Sequence, residues 1–234
     1  LKASCRFTAA SKTSHVSAMA SSTPLVRLEN GLPDVPADKK MPPNFFLILI
    51  PITFAMGQVF AWPIYLFGDR KAYDAKIDIL ATYNLGWLYL SLFVVYYTKQ
   101  FVSQQASMER NAASVMLPNQ SVHKVMVKEG ATALPYVLLE ETGPVGRANR
   151  AQRGFENLME YLPMYLAYLF ANGFVYPFPA FVNACVFLFA RVKYARDYTV
   201  STEARQGGFM LYGFAQACME GLLLIAGVKA LMRA

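Results

Sequence analysis

The sequence predicts an all-α membrane protein, because its composition is apolar and its long uncharged runs are separated by short polar stretches. Of its 234 residues, 55% are hydrophobic and only 16% are charged, whereas charged residues make up about a quarter of a typical soluble domain. The formal net charge is +7. The basic residues are not interleaved with aromatic ones as they are on a nucleic-acid surface, so we exclude nucleic acid as a partner. The basic excess therefore calls for an explanation at a membrane.

Residues 1–43 precede the first apolar run and are expected to form a disordered or targeting arm. Residues 1–22 are rich in Ser, Thr and Ala and carry cations but no acid, a composition compatible with an organelle transit peptide. Because the chain begins with Leu1, we interpret it as a fragment, a processed product or a translation with upstream sequence, and Met19 as a candidate start. From Pro24 onward the arm is Pro-rich and charged, which is typical of extended chain.

Five apolar segments are predicted to span the membrane. Each approaches the roughly 20 residues that a helix needs to cross about 30 Å of hydrocarbon. The first is an additional helix that Pro51 and Pro63 should bend or shorten. The predicted spans are 44–67, 79–98, 154–172, 181–198 and 206–231.

The connections between the spans differ in charge. The loop Lys99–Arg153 holds seven Lys and Arg and the stretch Arg191–Arg205 holds four, whereas the turn "GFVYPFPA" holds none. The positive-inside rule therefore predicts that both basic stretches face the cytosol or its equivalent. Within the long loop, "VHKVMVKEG" alternates weakly, which indicates a short strand or hairpin.

Cysteine and histidine indicate neither a metal site nor a disulfide framework. No pair of cysteines has CxxC spacing, and no histidine has a Cys or carboxylate companion at ligand spacing. The residues concerned are Cys5, Cys185, Cys218, His15 and His123, and we interpret both histidines as solvated loop residues.

Polar side chains share one helical face at the start of the third span. Arg150, Arg153, Asn157 and Glu160 follow one another at steps of three, four and three residues, which aligns them along that face. An ionised side chain inside the apolar segment costs several kcal/mol unless it is paired. We expect Arg153, or an arginine of another helix, to pair with Glu160. The spacing alone leaves two interpretations open, a charge cluster that anchors the helix end or one wall of a ligand site.

A second cluster lies on the same predicted side of the membrane. Arg191, Tyr194 and Tyr198 share a face of the fourth span, and Arg205 stands just before the fifth, where free backbone N–H groups and the helix dipole favour anions. Together the clusters offer guanidinium, phenol, amide and carboxylate groups, which suit a small polar ligand with carboxylates and an ammonium. An interfacial belt of Tyr and Arg is the alternative.

With both clusters in view, the chain resembles the MAPEG family, the membrane-associated proteins of eicosanoid and glutathione metabolism. The resemblance rests on "QRGFENLMEYLPMY", which has the pattern Q-R-G-x-x-N-x-x-E-x-x-P-M-Y, and on "RVKYARDYTVSTEAR", which has the pattern R-x-x-Y-x-x-x-Y with an arginine seven residues later. It covers roughly residues 80–232 and is nearest to the microsomal glutathione S-transferase type 3 branch. It implies a four-helix transmembrane bundle of MAPEG type at 79–232, assembled as a homotrimer with glutathione bound between subunits.

The resemblance also implies roles for individual residues. Arg205 matches the arginine that stabilises the glutathione thiolate, and an adjacent cation does lower a thiol pKa from its usual value of about 8.5. The thiolate would attack a lipophilic electrophile from the bilayer or reduce a lipid hydroperoxide. The predicted glutathione-binding residues are Arg150, Arg153, Asn157, Glu160, Tyr161, Arg191, Tyr194 and Tyr198.

Three features depart from the family pattern. Phe155 stands where the family often has His or Gln, the loop Lys99–Arg153 is longer than expected, and the span 44–67 is additional to four helices. These features favour an alternative, a catalytically silent MAPEG-like structural subunit of a larger membrane complex. Glu220 and Gln216 share a face of the fifth span, and we expect Glu220 to form an interhelical ion pair or hydrogen bond. The endoplasmic reticulum is the implied location, and the Ser/Ala-rich start leaves a mitochondrial or plastid membrane open.

Overall fold

The computed structural model describes Lys40, Pro42 and residues 45–115, 122–126 and 136–233. These residues form six helices and a two-stranded antiparallel sheet. The predicted arm, with its transit-peptide composition and candidate start, lies outside the described residues except for Lys40 and Pro42. The elements are α1 (Phe45–Phe67), α2 (Arg70–Thr82), α3 (Gly86–Ala112), β1 (His123–Met126), β2 (Tyr136–Leu139), α4 (Gly143–Val175), α5 (Pro177–Val200) and α6 (Gln206–Leu231).

Helix α1 confirms the first predicted apolar helix, but the expectation that its prolines shorten it is wrong. The helix continues through Pro51 and Pro63 over 23 residues. Membrane helices tolerate proline because Ser/Thr side chains and neighbouring groups satisfy the backbone that proline leaves unpaired. Next to Pro51, the Thr53 hydroxyl donates to the carbonyl oxygens of Leu49 and Ile50 at 2.9 and 3.0 Å, whereas the carbonyl that loses its helical partner at Pro51 is that of Leu47.

The second predicted span, Ile79–Thr98, is wrong as a single helix. The polar link before it folds as α2, whose first turn is capped by the Asp69 side chain, which accepts a hydrogen bond from the backbone N–H of Ala72 at 3.2 Å. Helices α2 and α3 then meet at a bend of 96°. Asn84 lies in this break with a φ of 56°, a left-handed conformation that Asn adopts more readily than most residues. The chain therefore turns sharply where hydropathy alone predicted continuity.

The predicted loop Lys99–Arg153 is shorter than expected, because helices occupy both of its ends. Helix α3 continues to Ala112 and α4 begins at Gly143, so the connection covers only residues 113–142. The polar end of α3 is rich in Gln, Glu, Met and Arg, which favour helix as strongly as most apolar residues do. Within the connection, β1 pairs antiparallel with β2, which confirms the predicted strand. His123 is exposed at the start of β1 rather than in a loop.

Helices α3, α4, α5 and α6 pack together as a bundle. Small residues bring the backbones close: a Cβ placed on Gly208 of α6 would lie 2.5 Å from the backbone nitrogen of Tyr194 in α5. The bundle core is continuous and runs through all four helices. Its buried members include Leu88, Val95, Val102, Leu158, Tyr165, Leu169, Ala184, Phe187, Ala190, Tyr212 and Met219. The predicted all-α bundle is confirmed.

Side-chain hydrogen bonds also join the helices. Asn172 of α4 and Asn183 of α5 donate their amide N–H groups to the carbonyl oxygens of Met219 and Ala215 in α6, both at 2.8 Å. The Tyr165 hydroxyl donates to the side-chain oxygen of Asn183 at 3.0 Å. Such bonds hold membrane helices together where apolar burial supplies no driving force. They attach α6 to both α4 and α5.

Three helices are long and apolar enough to cross a membrane within the described chain: Ile48–Phe67 of α1, α5 and α6. The bent pair of α2 and α3 gives a fourth candidate if it counts as one span. The bounds of α6 match the fifth predicted span, whereas α5 extends the fourth to Pro177. Helix α4 contains the third predicted span but falls outside this set, because Glu160, Asn172 and several tyrosines lower its mean hydropathy. Apolarity alone thus does not reproduce our count of five.

Candidate functional site

The two charged motifs face each other where α4 and α5 pack closely. A Cβ placed on Gly154 of α4 would lie 3.6 Å from the Cα of Ala195 in α5, in ordinary van der Waals contact, so the two helices are adjacent at this point. The short turn after α5 then brings Arg205 back to the start of α6. Residues from three helices therefore meet at one end of the bundle.

Arg191 is the most buried cation among the described residues, with 1% of its surface exposed. Its guanidinium carbon lies 3.8 Å from the ring centroid of Tyr212 and 4.9 Å from that of Tyr161. Phe187 and Tyr194 complete the surrounding rings at 5.4 and 5.9 Å. Cation–π contacts of this kind stabilise a desolvated guanidinium by about 2 kcal/mol or more. The aromatic enclosure therefore supports a charge that is otherwise costly to bury.

The position of Asn157 depends on Arg191. The Asn157 side-chain oxygen accepts a hydrogen bond from Nη1 of Arg191 at 2.8 Å, whereas Nε and Nη2 of Arg191 are buried without a partner in the described chain. Because the amide oxygen is engaged, the amide N–H groups of Asn157 are the donors that it can offer elsewhere. Asn157 also lines a cavity next to the start of α6.

That cavity, of about 420 Å³, lies between α4, α5 and the turn that precedes α6, and Tyr194 and Arg205 line it with Asn157. The guanidinium carbon of Arg205 lies 4.7 Å from the ring centroid of Tyr198, so a cation–π contact positions the arginine. Ligand pockets of small molecules usually measure about 300–1,000 Å³. The cavity therefore has room for a small polar ligand beside a cation.

A second cavity, of about 490 Å³, adjoins the first, because Thr202 and Glu203 line both. Arg153 and Tyr198 also line this second cavity. Leu139, the last residue of β2, contributes to its wall. The connection between α3 and α4 thus takes part in the surface beside the candidate site.

Arg153 and Glu160 form the expected ion pair. Nη1 of Arg153 lies 2.9 Å from the Glu160 carboxylate and 3.6 Å from that of Glu156. The hydrogen bond to Glu160 raises the pKa of the Arg153 guanidinium above its usual value. About half of each side chain in the Arg153–Glu160 pair is exposed. Both groups can therefore exchange this partner for a ligand at little cost.

Arg150 occupies a different environment from the other predicted ligands. Its guanidinium donates to the carbonyl oxygens of Thr199 and Glu141 at 3.1 and 2.6 Å, and to that of Val200 at 3.3 Å. The bonds to Thr199 and Val200 satisfy backbone carbonyls at the end of α5, which have no partner within the helix. In this arrangement Arg150 fastens α4 to the end of α5.

Phe155 and Glu220, the two residues that the family resemblance left without a role, lie outside the cavity beside Arg205. Phe155 packs against the core of the bundle. Glu220 accepts a hydrogen bond from the Gln216 amide at 2.9 Å, so within this protomer its partner belongs to its own helix rather than to another one, contrary to our expectation. The Tyr168 side chain faces the same surface cleft as Glu220.

Sequence reasoning missed three aromatic residues of the site. Tyr212 contacts Arg191, and Phe209 lines the cavity and lies with its ring centroid 5.3 Å from that of Tyr212. Phe187 packs on Arg191 from one turn earlier in α5. All three stand in apolar runs where aromatic residues are common. The available signal for Tyr212 was its position one helical turn after Gly208, which places both residues on the same face of α6.

Comparison with known families decides the chain's affiliation. The MAPEG family matches residues 79–225, which is more than half of the chain. The chain belongs to the MAPEG family. Among curated proteins, none matches it. The matched part runs from the end of α2 into α6 and leaves α1 outside.

Membership in the MAPEG family supports a general role in glutathione or eicosanoid metabolism at a membrane. The family includes glutathione transferases and peroxidases, and also members without catalytic activity. The apolar helices and the family together make this an integral membrane protein. The match concerns MAPEG proteins as a whole, so the resemblance to the type 3 branch stays a prediction.

Proposed function

We propose that the protein is a membrane-bound glutathione transferase or peroxidase that activates the glutathione thiolate against lipophilic electrophiles or lipid hydroperoxides. The observation that carries the proposal is the shared cavity of Arg205, Asn157 and Tyr194. It joins an amide from α4, a phenol from α5 and a cation from the turn that precedes α6. These groups fit glutathione, which carries two carboxylates, two peptide units, an ammonium and a thiol.

In the proposed mechanism, Arg205 is the catalytic residue. Its guanidinium stabilises the glutathione thiolate, which raises the fraction of the reactive form at neutral pH. Its contact with the Tyr198 ring holds the cation at the start of α6. There the helix dipole adds to the positive potential.

The remaining predicted residues would bind the tripeptide. Asn157, oriented by Arg191, donates to a ligand acceptor, and Tyr194 and Tyr198 contribute hydroxyl groups. Arg153, Glu160 and Tyr161 lie along the exposed side of α4, where an opposed carboxylate and cation suit the charged ends of glutathione. Glutathione contacts with Arg150 and Arg191 stay predictions. Both guanidinium groups already have partners in the protein, so each would have to bind glutathione in addition to those partners.

The assembly and the location in the cell are part of the proposal. By similarity to the family, we expect a homotrimer in which a neighbouring subunit closes the open side of the cavity. We propose the endoplasmic reticulum as the home membrane, with mitochondrial and plastid membranes as the alternatives. Chemical cross-linking in native membranes and imaging of the tagged full chain test these two points.

The competing candidate is a catalytically silent structural subunit. It is favoured by the arrangement of Arg150, because this guanidinium already donates to backbone carbonyls. The two candidates differ in one measurable property, the formation of a thiolate from bound glutathione.

The experiment measures thiolate absorbance near the ultraviolet edge when glutathione is added to the purified full chain in lipid nanodiscs. The expected result is a thiolate signal at pH 7 that Arg205→Ala abolishes, with Arg196→Ala as a control for loss of a nearby exposed cation. Binding of glutathione without a thiolate signal would favour the silent subunit. Absence of any glutathione binding to the intact protein would refute the proposal that it is a glutathione-dependent enzyme.

A further inference from the structure

A cleft separates α1 from α3, at the boundary between the additional helix and the bundle. Its volume is about 600 Å³, within the range of small-molecule pockets. Thr53 and Gly57 of α1 line one side, and Gln100 and Gln104 of α3 line the other. Because α1 lies outside the part of the chain that matches the family, this cleft belongs to a feature that the family match does not cover.

One end of the cleft is aromatic. The ring centroid of Phe54 lies 5.8 Å from that of Phe93 and 6.5 Å from that of Tyr97, in edge-to-face geometry. These contacts join α1 to α3 and form an apolar wall deep in the span. Aromatic pairs of this kind contribute about 0.5–1.5 kcal/mol beyond the area that they bury.

The other end of the cleft is polar. Gln100, Ser103, Gln104 and Ser107 follow one another on α3 at helical spacing. Gln104 lies 11 residues after Phe93, which is about 16 Å along a helix. The polar residues lie in the part of α3 that extends past the predicted span, towards the membrane face. Along the α3 wall, the lining thus changes from aromatic to polar as a lipid does from chain to headgroup, whereas α1 contributes apolar and polar residues to the other wall.

A buried acceptor marks the polar end. The side-chain oxygen of Gln104, a residue that lines this end of the cleft, is buried and has no hydrogen-bond partner within the described chain, so rotation of the amide towards an occupant would satisfy it. An unsatisfied buried acceptor costs about 1–3 kcal/mol. None of the described side chains that line the cleft is charged. A charged headgroup would find no counter-charge among these side chains, so the cleft suits a neutral hydroxyl better than an ammonium or a phosphate.

We propose that the cleft between α1 and α3 binds an uncharged membrane lipid with a free hydroxyl group, whose hydroxyl donates to Gln104 and whose chain lies against Phe54 and Phe93. The inference does not depend on glutathione chemistry, because the cleft shares no residue with the cavity beside Arg205. It gives the additional helix a role, since α1 supplies one wall of the site.

The test uses the full chain in phosphatidylcholine nanodiscs that contain a photoreactive diacylglycerol or the same lipid with its hydroxyl acetylated. Cross-linked peptides are identified by mass spectrometry. We expect labelling of α1 and α3, with the free hydroxyl favoured about 2- to 10-fold, as one neutral hydrogen bond predicts. Gln104→Leu should bring this preference close to one while leaving the apolar wall intact.

A second variant fills the cleft. A Cβ on Gly57 meets nothing within 4 Å, so Gly57→Phe introduces a ring without a backbone clash and should lower labelling at least fivefold. Gly221→Phe, at another helical glycine with open space around it, is the matched control and should label as the unmodified chain does. Equal labelling by both probes, unchanged labelling in Gly57→Phe, or cross-links from this cleft to a second copy of the chain would overturn the proposal.

Discussion

The contact between Gly208 and the backbone of Tyr194 predicts that Gly208→Ala separates α6 from α5. A Cβ at this position would lie 2.5 Å from the backbone nitrogen and 2.6 Å from the Cα of Tyr194. Carbon atoms in ordinary contact are about 3.5–4.0 Å apart, so α6 has to retreat by roughly 1 Å. Backbone atoms cannot rotate away as a flexible side chain does.

The expected loss of thermal stability follows from a comparison of Gly208→Ala with Gly213→Ala. Gly213 is on the same helix and meets nothing within 4 Å, so both changes gain similar helix propensity and only Gly208→Ala creates a clash. Overpacking of this kind costs about 1–3 kcal/mol. For a chain of this size, 1 kcal/mol corresponds to about 2–4 °C in Tm, so we expect Gly208→Ala to melt roughly 2–12 °C below Gly213→Ala.

Thermal unfolding of both variants in lipid nanodiscs, followed by circular dichroism, measures the difference. A second readout is glutathione affinity, which should fall only in Gly208→Ala because Arg205 and Tyr194 move apart. Equal Tm values for the two variants would show that α6 and α5 are not in backbone contact here, and the geometry of the cavity would then have to be revised.

Two further predictions concern the connection between α3 and α4. The Asn149 side chain accepts a hydrogen bond from the backbone N–H of Val122 and donates to the carbonyl oxygens of Val122 and Glu140. Asn149→Leu should therefore lower the free energy of unfolding by about 1–3 kcal/mol. Hydrogen exchange should show lower protection of the Val122 amide in this variant, and unchanged protection would contradict this role. Arg147 makes a two-pronged ion pair with Glu109 at 2.9 and 3.1 Å. The Arg147 side chain is half exposed, but the Glu109 side chain that would lose its cation is only 12% exposed, so Arg147→Met should lower the free energy of unfolding by about 1–3 kcal/mol. That loss should shrink at high salt, and a loss independent of salt would argue against a screened ion pair.

The apolar runs predicted α1 and α6 closely, because hydropathy sets the bounds of a helix that begins and ends at the edge of the hydrocarbon. It failed for α3, whose polar end from Gln100 onward is helical for reasons of propensity and packing rather than of burial in lipid. The break at Asn84 was missed for a related reason. A single residue in a left-handed conformation redirects the chain without changing its hydropathy.

Helical spacing in the sequence predicted those parts of the candidate site that consist of charged residues on one helix. Spacing predicted the Arg153–Glu160 pair, which is confirmed, and it grouped Arg150 with the ligand residues although Arg150 binds the backbone at the end of α5. Spacing did not predict Tyr212. This residue belongs to the site because its ring contacts Arg191, which lies on a different helix. Contacts between distant segments require the packed structure.

The side-chain amides of Asn172 and Asn183 have a practical consequence for handling the protein. They bind carbonyl groups of α6 from within the bundle, so these attachments do not depend on what surrounds the protein. No residue of α1 whose burial the structure describes is fully buried, and the helix meets α3 through aromatic rings. Extraction into a detergent that removes bound lipid should therefore leave α4, α5 and α6 assembled while α1 separates from α3. The choice of solubilising agent then determines which part of the molecule an experiment observes.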